Sequence, residues 1–392
     1  MAGGPRESNA PRAHPSYSCR MDLVRLLQAL VSIDSTSSRS NLPVLDLLER
    51  EVAPLGFQVR RMTWKDDAGV EKGNLVCRRG PEAPGGLALV AHTDCVPFDP
   101  EWKEALSGAL HDGRVFGRGS ADTKGSAASM IAAAAREGPC AAPLWLVFTA
   151  DEEVGCQGAK ALHREGRLHP ATAIIGEPTQ LVPVRAHKGY CAVDVTVRGV
   201  EGHSAFPDLG ASAVHAAGDL LGEIRRIQAG LAAEHSDPSF SPPHTTFNVG
   251  VIRGGKARNV LAGDCFFTLE WRPLPGQAPE RGLTLFDEAA ARLAARGGGK
   301  LKVERTPMRV DQAGVTPPGA AVVRFLEEQS GNAAQTIPFG TELPELIDMG
   351  AEACVFGPGD IRVAHRTGEF VEVAELEKAA EIHRQAIRRF CG

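Results

Sequence analysis

Leu87-Ala-Leu-Val-Ala91 runs without a polar break into His92-Thr-Asp94. The same arrangement recurs along the chain. Leu144-Trp-Leu-Val-Phe148 leads into Asp151-Glu152-Glu153, and Ala173-Ile-Ile175 into Gly176-Glu177. Ala353-Cys-Val-Phe356 is followed by a glycine-proline loop and His365. Unbroken aliphatic runs of this length suit strands covered on both faces of a parallel sheet. Open α/β sheets hold their ligands just beyond the carboxyl ends of such strands. Two histidines and several carboxylates brought to one sheet edge predict a bimetallic hydrolytic site.

The chain of 392 residues exceeds the size at which one core usually keeps growing, so two domains are expected. Its hydrophobic content of 43% supplies ample core material. A formal charge of −5, without any long basic run, argues against a nucleic-acid surface. No stretch approaches the roughly 20 apolar residues of a membrane span. The cysteines are odd in number (nine) and scattered, with no Cys-x-x-Cys pair. Neither a zinc ribbon nor a disulfide framework fits, and free thiols suggest a reducing, cytoplasmic setting. Residues 1–20, rich in Pro, Ser, Ala and Arg and lacking an apolar centre, read as a disordered extension, with Met21 a candidate start.

Helical spacing begins at Leu23, Leu26, Leu27 and Leu30, and an alanine-rich helix is expected after Asp122, from Ser126 to Arg136. Near residue 186 the pattern changes. Lys188 to Arg198 alternates like a half-exposed antiparallel strand. A helix over 211–228, strands over 246–252 and 264–271, a helix over 283–295 and a strand at 301–303 complete a β-α-β-β-α-β order, that of a ferredoxin-like sandwich. The expected fold is thus α/β, a doubly wound, mostly parallel sheet. Residues 21–185 and 300–392 form a catalytic domain, and residues 186–299 an inserted ferredoxin-like lid and dimerisation domain. Hinges are expected near residue 185 and at 297–300.

His92 and Asp94 lie two apart at a strand end and project to the same side. Asp94 is therefore placed to orient the imidazole. Asp122 opens the alanine-rich helix, where a carboxylate gains from free backbone N–H groups. Glu152 and Glu153 are neighbours and diverge, so one can ligate while the other faces water. Taken singly, each has a plainer reading. His-x-Asp is often a hydrogen-bonded pair, Asp122 a helix cap, the glutamates a solvated loop and Glu177 a turn acid before Pro178. The combination is more specific than its parts.

His92-Thr-Asp94, Gly117-Arg-Gly-Ser-Ala-Asp122-Thr-Lys-Gly125, Thr149-Ala-Asp-Glu-Glu153 and Gly176-Glu-Pro-Thr179 resemble the signature blocks of the dizinc amidohydrolase and exopeptidase family. This family includes acetylornithine deacetylase, succinyl-diaminopimelate desuccinylase, aminoacylase and glutamate carboxypeptidase. The resemblance runs from about Met21 to the C-terminus. It implies two Zn2+ ions, with Co2+ or Mn2+ able to substitute. By the same resemblance His92 and Glu177 would hold one ion, Glu153 and His365 the other, and Asp122 would bridge them. Glu152 would be the general base and Asp94 the orienter, and Asp122–Thr123 is a candidate cis peptide bond.

In the expected insert, Gly202-His-Ser204 is similar to the family's segment whose histidine, His203, donates to the oxyanion, often across a dimer interface. Lys256-Ala-Arg258-Asn259 and Arg272-Pro-Leu-Pro275 resemble positions that bind the substrate carboxylate. The loop Phe339-Gly340-Thr-Glu342-Leu343 resembles the branch that deacetylates acetylornithine, which makes Glu342 a candidate for binding a cationic side chain. Without the resemblance, His203, Asn259 and Arg272 read as a cap, a turn residue and a solvated strand end, and Glu342 as a loop acid in water.

The resemblance implies hydrolysis of the amide of a small N-acetyl amino acid, N2-acetyl-L-ornithine first, in arginine biosynthesis, by a homodimer joined through the insert. The alternatives are acetylcitrulline, succinyl-diaminopimelate, a general aminoacylase or dipeptidase role, and a non-catalytic relative that only binds acyl amino acids. Cys95, after Asp94, departs from the family pattern and reads as a small packed residue or a site open to oxidation.

Overall fold

The four apolar runs become four neighbouring parallel strands. In a computed structural model describing residues 22–392, Leu144–Thr149, Leu87–His92, Thr172–Ile175 and Glu352–Val355 lie side by side in that order. The expected extension over 1–20 and the start at Met21 lie outside the described residues. Every residue of the first three strands is buried, as unbroken aliphatic sequence demands of strands covered on both faces. Antiparallel strands flank this parallel centre, Gln58–Lys65 and Glu71–Arg79 on one side, Val184–His187 and Gly314–Val315 on the other. The short strand Gln335–Ile337 completes the nine.

Helices cover both faces. Leu23–Val31, Leu42–Val52, Gly125–Ala135, Ala321–Ser330 and Val373–Cys391 pack on one. Gln157–Glu165 and Leu343–Asp348 pack on the other. Gly125–Ala135 is built from small residues and sits close to the sheet. A Cβ on Gly176, at the end of Thr172–Ile175, would stand 2.4 Å from the Ser126 Cβ, so only glycine permits this approach.

A second sheet has its own core. Tyr190–Arg198 alternates buried and exposed residues, and its buried valines pack with Phe267, Leu269 and Trp271 of Asp264–Arg272. Helices Ala213–Glu234 and Glu280–Arg296 cover that face. Counting strands along the chain, the antiparallel order is fourth, first, third, second, which is the ferredoxin-like arrangement.

The expected boundary at 299 needs correction. Lys302–Arg305 and Arg309–Asp311 both pair with Tyr190–Arg198, so the second sheet continues to Asp311. Gly297–Gly299 is the turn that returns the helix Glu280–Arg296 to an edge strand, not a connection between units. The glycine run suggested a linker because a tight helix-to-strand return and a hinge use the same residues.

Candidate metal centre

Strand adjacency brings the chemistry together. His92, the last residue of its strand, stands opposite Thr149, so the chain leaving Thr149 places Glu152 and Glu153 beside it. On the other side, Gly176 N–H donates to the Val90 carbonyl and Phe356 N–H to the Ile175 carbonyl. Glu177 and the loop to His365 therefore leave the same sheet edge. Neighbouring strands are ~4.8 Å apart, within ligand-sharing distance.

Asp122 sits at the centre of the cluster. Its Oδ1 lies 3.0 Å from His92 Nε2 and its Oδ2 3.1 Å from His365 Nε2. Glu177 Oε1 is 3.9 Å from His92 Nε2, and Glu153 Oε1 is 3.1 Å from His365 Nε2. Two groups of donors, His92 with Glu177 and His365 with Glu153, thus share the Asp122 carboxylate. The Asp122–Thr123 peptide bond is cis. His365 has φ of 58°, the left-handed region, on the loop after Glu352–Val355.

The supports were mostly not visible in the sequence. Glu369, wholly buried, accepts the N–H groups of Ala121 and Asp122 at 3.0 and 3.2 Å and pairs with Arg118 at 2.6 Å. The Thr123 hydroxyl donates to the His92 carbonyl at 3.1 Å. Gly119 has φ of 81°, and a Cβ there would stand 2.6 Å from Cys95 Sγ. Cys95 is therefore a packed residue under the turn, and burial pushes its thiol up to about 11, away from easy oxidation.

Asp94 acts differently from the expectation. The His92 Nδ1–H donates to the Asp94 backbone carbonyl at 3.0 Å, while the carboxylate stands back at 3.6 Å. That bond still fixes the tautomer and turns Nε2 toward Asp122 and Glu177. The carboxylate instead accepts Glu152 N–H at 3.0 Å, Glu153 N–H at 3.4 Å and the Ser37 hydroxyl at 2.7 Å. It orders the turn that carries both glutamates. Asp151, in the same turn, is anchored by the buried Lys72 at 2.7 Å.

Charge is concentrated here. Burial, then the Asp122 and Glu152 carboxylates, push the Glu177 pKa well up. Burial raises Glu152 in the same way, with Glu153 and Glu342 adding to it and His92 opposing. Burial favours neutral His92, but its contacts with Asp122 and Asp94 outweigh this and raise its pKa. Asp122 and Glu153 raise His365 to about 10. The raised proton affinities of Glu177, Glu152, His92 and His365 mark a site where negative charge is in excess. Two imidazole and three carboxylate donors suit borderline divalent cations.

A cleft of about 440 Å3 opens on this cluster. Asp122, Glu152, Glu153, Glu177 and His365 line one wall, and Tyr190, Glu270, Arg272, Arg309 and Asp311 of the second sheet line the other.

Residues 88–389 match Peptidase family M20/M25/M40. The chain belongs to that family. It is 48% identical to the acetylornithine deacetylase of Myxococcus xanthus over 93% of this chain and 97% of the relative. Identity to the acetylornithine deacetylase of Proteus mirabilis (strain HI4320) is 33%, over 95% of this chain and 96% of the relative. Among solved structures, the fold is similar to aminopeptidase PepT from Bacillus cereus ATCC 10987, with a TM-score of 0.72 and 23% identity, covering 93% of this chain and 97% of that one.

In this member of the M20/M25/M40 family the remaining candidates divide. Arg272 and Gly340 line the cleft. His203, Arg258 and Asn259 do not, and lie exposed on the second unit. His203 pairs in a short ladder with Val260 and tilts its ring against Phe206, and Ser204 N–H donates to the Asn259 carbonyl. Lys256 on the same face pairs with Glu201 at 2.7 Å. Glu342 is placed differently from the cleft-lining candidates. It is 1% exposed, lies outside the residues that line the cleft, and has both carboxyl oxygens unpartnered. Burial pushes its pKa up to about 7, against the opposing pull of His92. Its neighbours Phe339, Gly340 and Thr341 reach the cleft, whereas Glu342 immediately precedes the helix Leu343–Asp348 and turns inward.

Proposed function

We propose that this chain is a metal-dependent amidohydrolase that removes the acetyl group from N2-acetyl-L-ornithine, giving L-ornithine and acetate in arginine biosynthesis. Relatives named acetylornithine deacetylase, matched over nearly their whole length, support the substrate. The division of the Asp122 carboxylate between His92 and His365 carries the chemistry. His92, Asp122 and Glu177 would hold one divalent cation, and Asp122, Glu153 and His365 the second. Zinc suits this donor set, and cobalt or manganese would substitute. When bound, the pair supplies Lewis-acid polarisation of the acyl carbonyl and lowers the pKa of water.

Glu152 accepts the proton of the attacking water and returns it to the departing amine. It lines the cleft, and none of its hydrogen bonds goes to His92, Asp122, Glu177 or His365. The Asp94 bond to its N–H fixes the turn that carries it, and the one side-chain donor to its carboxylate is the weak Cys156 thiol at 3.8 Å. Its raised proton affinity suits a group that must both take and give a proton. Arg272, across the cleft, offers a planar fork to the substrate carboxylate.

The second unit would pair two copies. Val200, Phe206, Leu209, Val214, Val251, Ile252 and Val260 are large exposed apolar residues of this one unit. Burying them between subunits removes an apolar surface from water and carries His203 toward the partner's cleft, where it would donate to the oxyanion. Asn259, Lys256 and Arg258 would travel with it. The free cysteines suit a reducing cytoplasm. The test is acetate release from N2-acetylornithine by purified, metal-loaded protein. Steady turnover supports the reading, and its absence alongside turnover of another acyl amino acid refutes the assigned substrate.

A further inference from the structure

Strand register fixes which residues of the second sheet stand together on the cleft wall. Along Asp264–Arg272, Cys265, Phe267, Leu269 and Trp271 enter the core, so Glu270 and Arg272 share the opposite face. On the next strand Ala192 stands opposite Glu270, and beyond it Arg309 stands opposite Ala192. One row of the sheet therefore reads Glu270, Ala192, Arg309. With strands ~4.8 Å apart, the two charged residues are rooted roughly 10 Å from each other with only a methyl group between. In the following row the Tyr190 ring has the guanidinium groups of Arg272 and Arg309 each 5.0 Å from its centre.

The cleft wall is thus polarised. Arg309 stands across the Ala192 gap from Glu270, while Arg272, two residues along Glu270's own strand, shares the Tyr190 ring with Arg309. Asp311 is already committed, to Lys160 at 2.5 Å and to Arg309 at 2.9 Å. Glu270 has its nearest cation, Arg272 Nε, only at 3.8 Å, and its side chain is 29% exposed. It is the carboxylate on this wall with capacity for another positive group. Glu342, which the sequence suggested for that task, is sealed from the cleft.

We propose that Glu270 recognises the side-chain ammonium of the substrate, whose extended methylenes cross Ala192 while Arg272 and Arg309 take its α-carboxylate. This specificity assignment rests on the acyl-ornithine reading above. An acyl amino acid with an uncharged side chain would lack the Glu270 contact. The assignment separates binding from chemistry, because Glu270 stands on the wall opposite Glu152 and Asp122.

The experiment compares kcat/KM for N2-acetylornithine and for N-acetylnorvaline, which keeps the carbon chain and lacks the amine, using metal-loaded full-length protein. Wild type is expected to prefer acetylornithine at least tenfold. Glu270→Gln should lower that ratio at least tenfold, chiefly through KM, and Glu270→Asp should retain part of it. An unchanged ratio in Glu270→Gln, or loss of both substrates in parallel, overturns the assignment to Glu270 while leaving the acyl-ornithine reading standing. A wild-type enzyme with no preference for the cationic substrate instead overturns the acyl-ornithine reading and the Glu270 assignment with it.

Discussion

The wholly buried Glu369 carboxylate accepts the main-chain N–H of Asp122 at 3.2 Å. Through that bond a residue 247 positions away in sequence sets the turn from which Asp122 reaches both histidines. The same carboxylate takes Ala121 N–H and an N–H of the Arg118 guanidinium, so its charge is matched. A buried ion pair lies beneath Asp122, the candidate bridging residue.

Removing that carboxylate should therefore cost both stability and affinity for metal. Glu369→Ala leaves Arg118 buried without its partner, and breaking such a pair typically costs about 3–5 kcal/mol. Urea unfolding of the metal-free protein should show that loss. Glu369→Gln keeps acceptor geometry at one oxygen and should fold, with metal affinity reduced about 10–100-fold, the usual effect of a disturbed outer ligand shell. Wild-type stability in the alanine variant would contradict the role given to the pair.

Glu152→Gln should separate metal binding from turnover. The amide has nearly the shape of the carboxylate but cannot take a proton, and general-base catalysis is worth about 10²–10⁴-fold. Acetate release should fall by that range while metal content, measured on the same sample, stays at the wild-type value. Full turnover in the variant would remove Glu152 from the mechanism.

His187 gives the fold an acid sensitivity independent of the metal. Its Nε2 accepts Thr341 N–H at 3.3 Å and its Nδ1–H donates to the Lys188 carbonyl at 2.8 Å, a neutral imidazole with both nitrogens used. Burial pushes its pKa down to about 4 from the ordinary 6.5. Between those values the unfolded chain binds more protons than the folded one, so stability falls as pH falls from 6.5 toward 4. From pH 7 to 5 this group should account for about 2 kcal/mol of loss. In metal-free protein, urea titrations should give a shallower pH dependence for His187→Gln than for wild type. Parallel curves would contradict the account. His383, buried and pushed down to about 3, acts in the same direction and remains in both proteins.

The proposed dimer has a direct physical test. Leu209 is 74% exposed and Ile252 49%, both on the second unit. Sedimentation equilibrium should give a dimer for wild type and a monomer for Leu209→Glu combined with Ile252→Glu. Turnover should fall with the loss of dimer if His203 serves the partner's cleft. A monomeric wild type would exclude that arrangement.

The candidate metal donors were legible because unbroken buried runs end where the sheet ends, so His92, Glu153, Glu177 and His365 announce their positions by following aliphatic sequence. Asp122 was legible from its neighbours in the motif. Glu369 was not, since a glutamate near the C-terminus carries no local sign that it lies beneath a turn at residues 120–124. The carboxylate of Asp94 was assigned to His92 by side-chain direction alone, and the backbone N–H groups that claim it come from another strand end. The burial of Glu342 was hidden for a similar reason: a loop acid near a glycine reads as exposed until the helix after it fixes its direction. Glu270 and Arg309 were hidden by distance in sequence, and only strand register puts them in one row.

In the proposed centre Asp122 is shared between two cation sites. Metal analysis of zinc-saturated, gel-filtered protein measures it most directly. Wild type should retain two divalent ions per chain, and Asp122→Ala should retain fewer than two with turnover abolished. Two tightly held ions in Asp122→Ala, or fewer than two in the wild type, would contradict it.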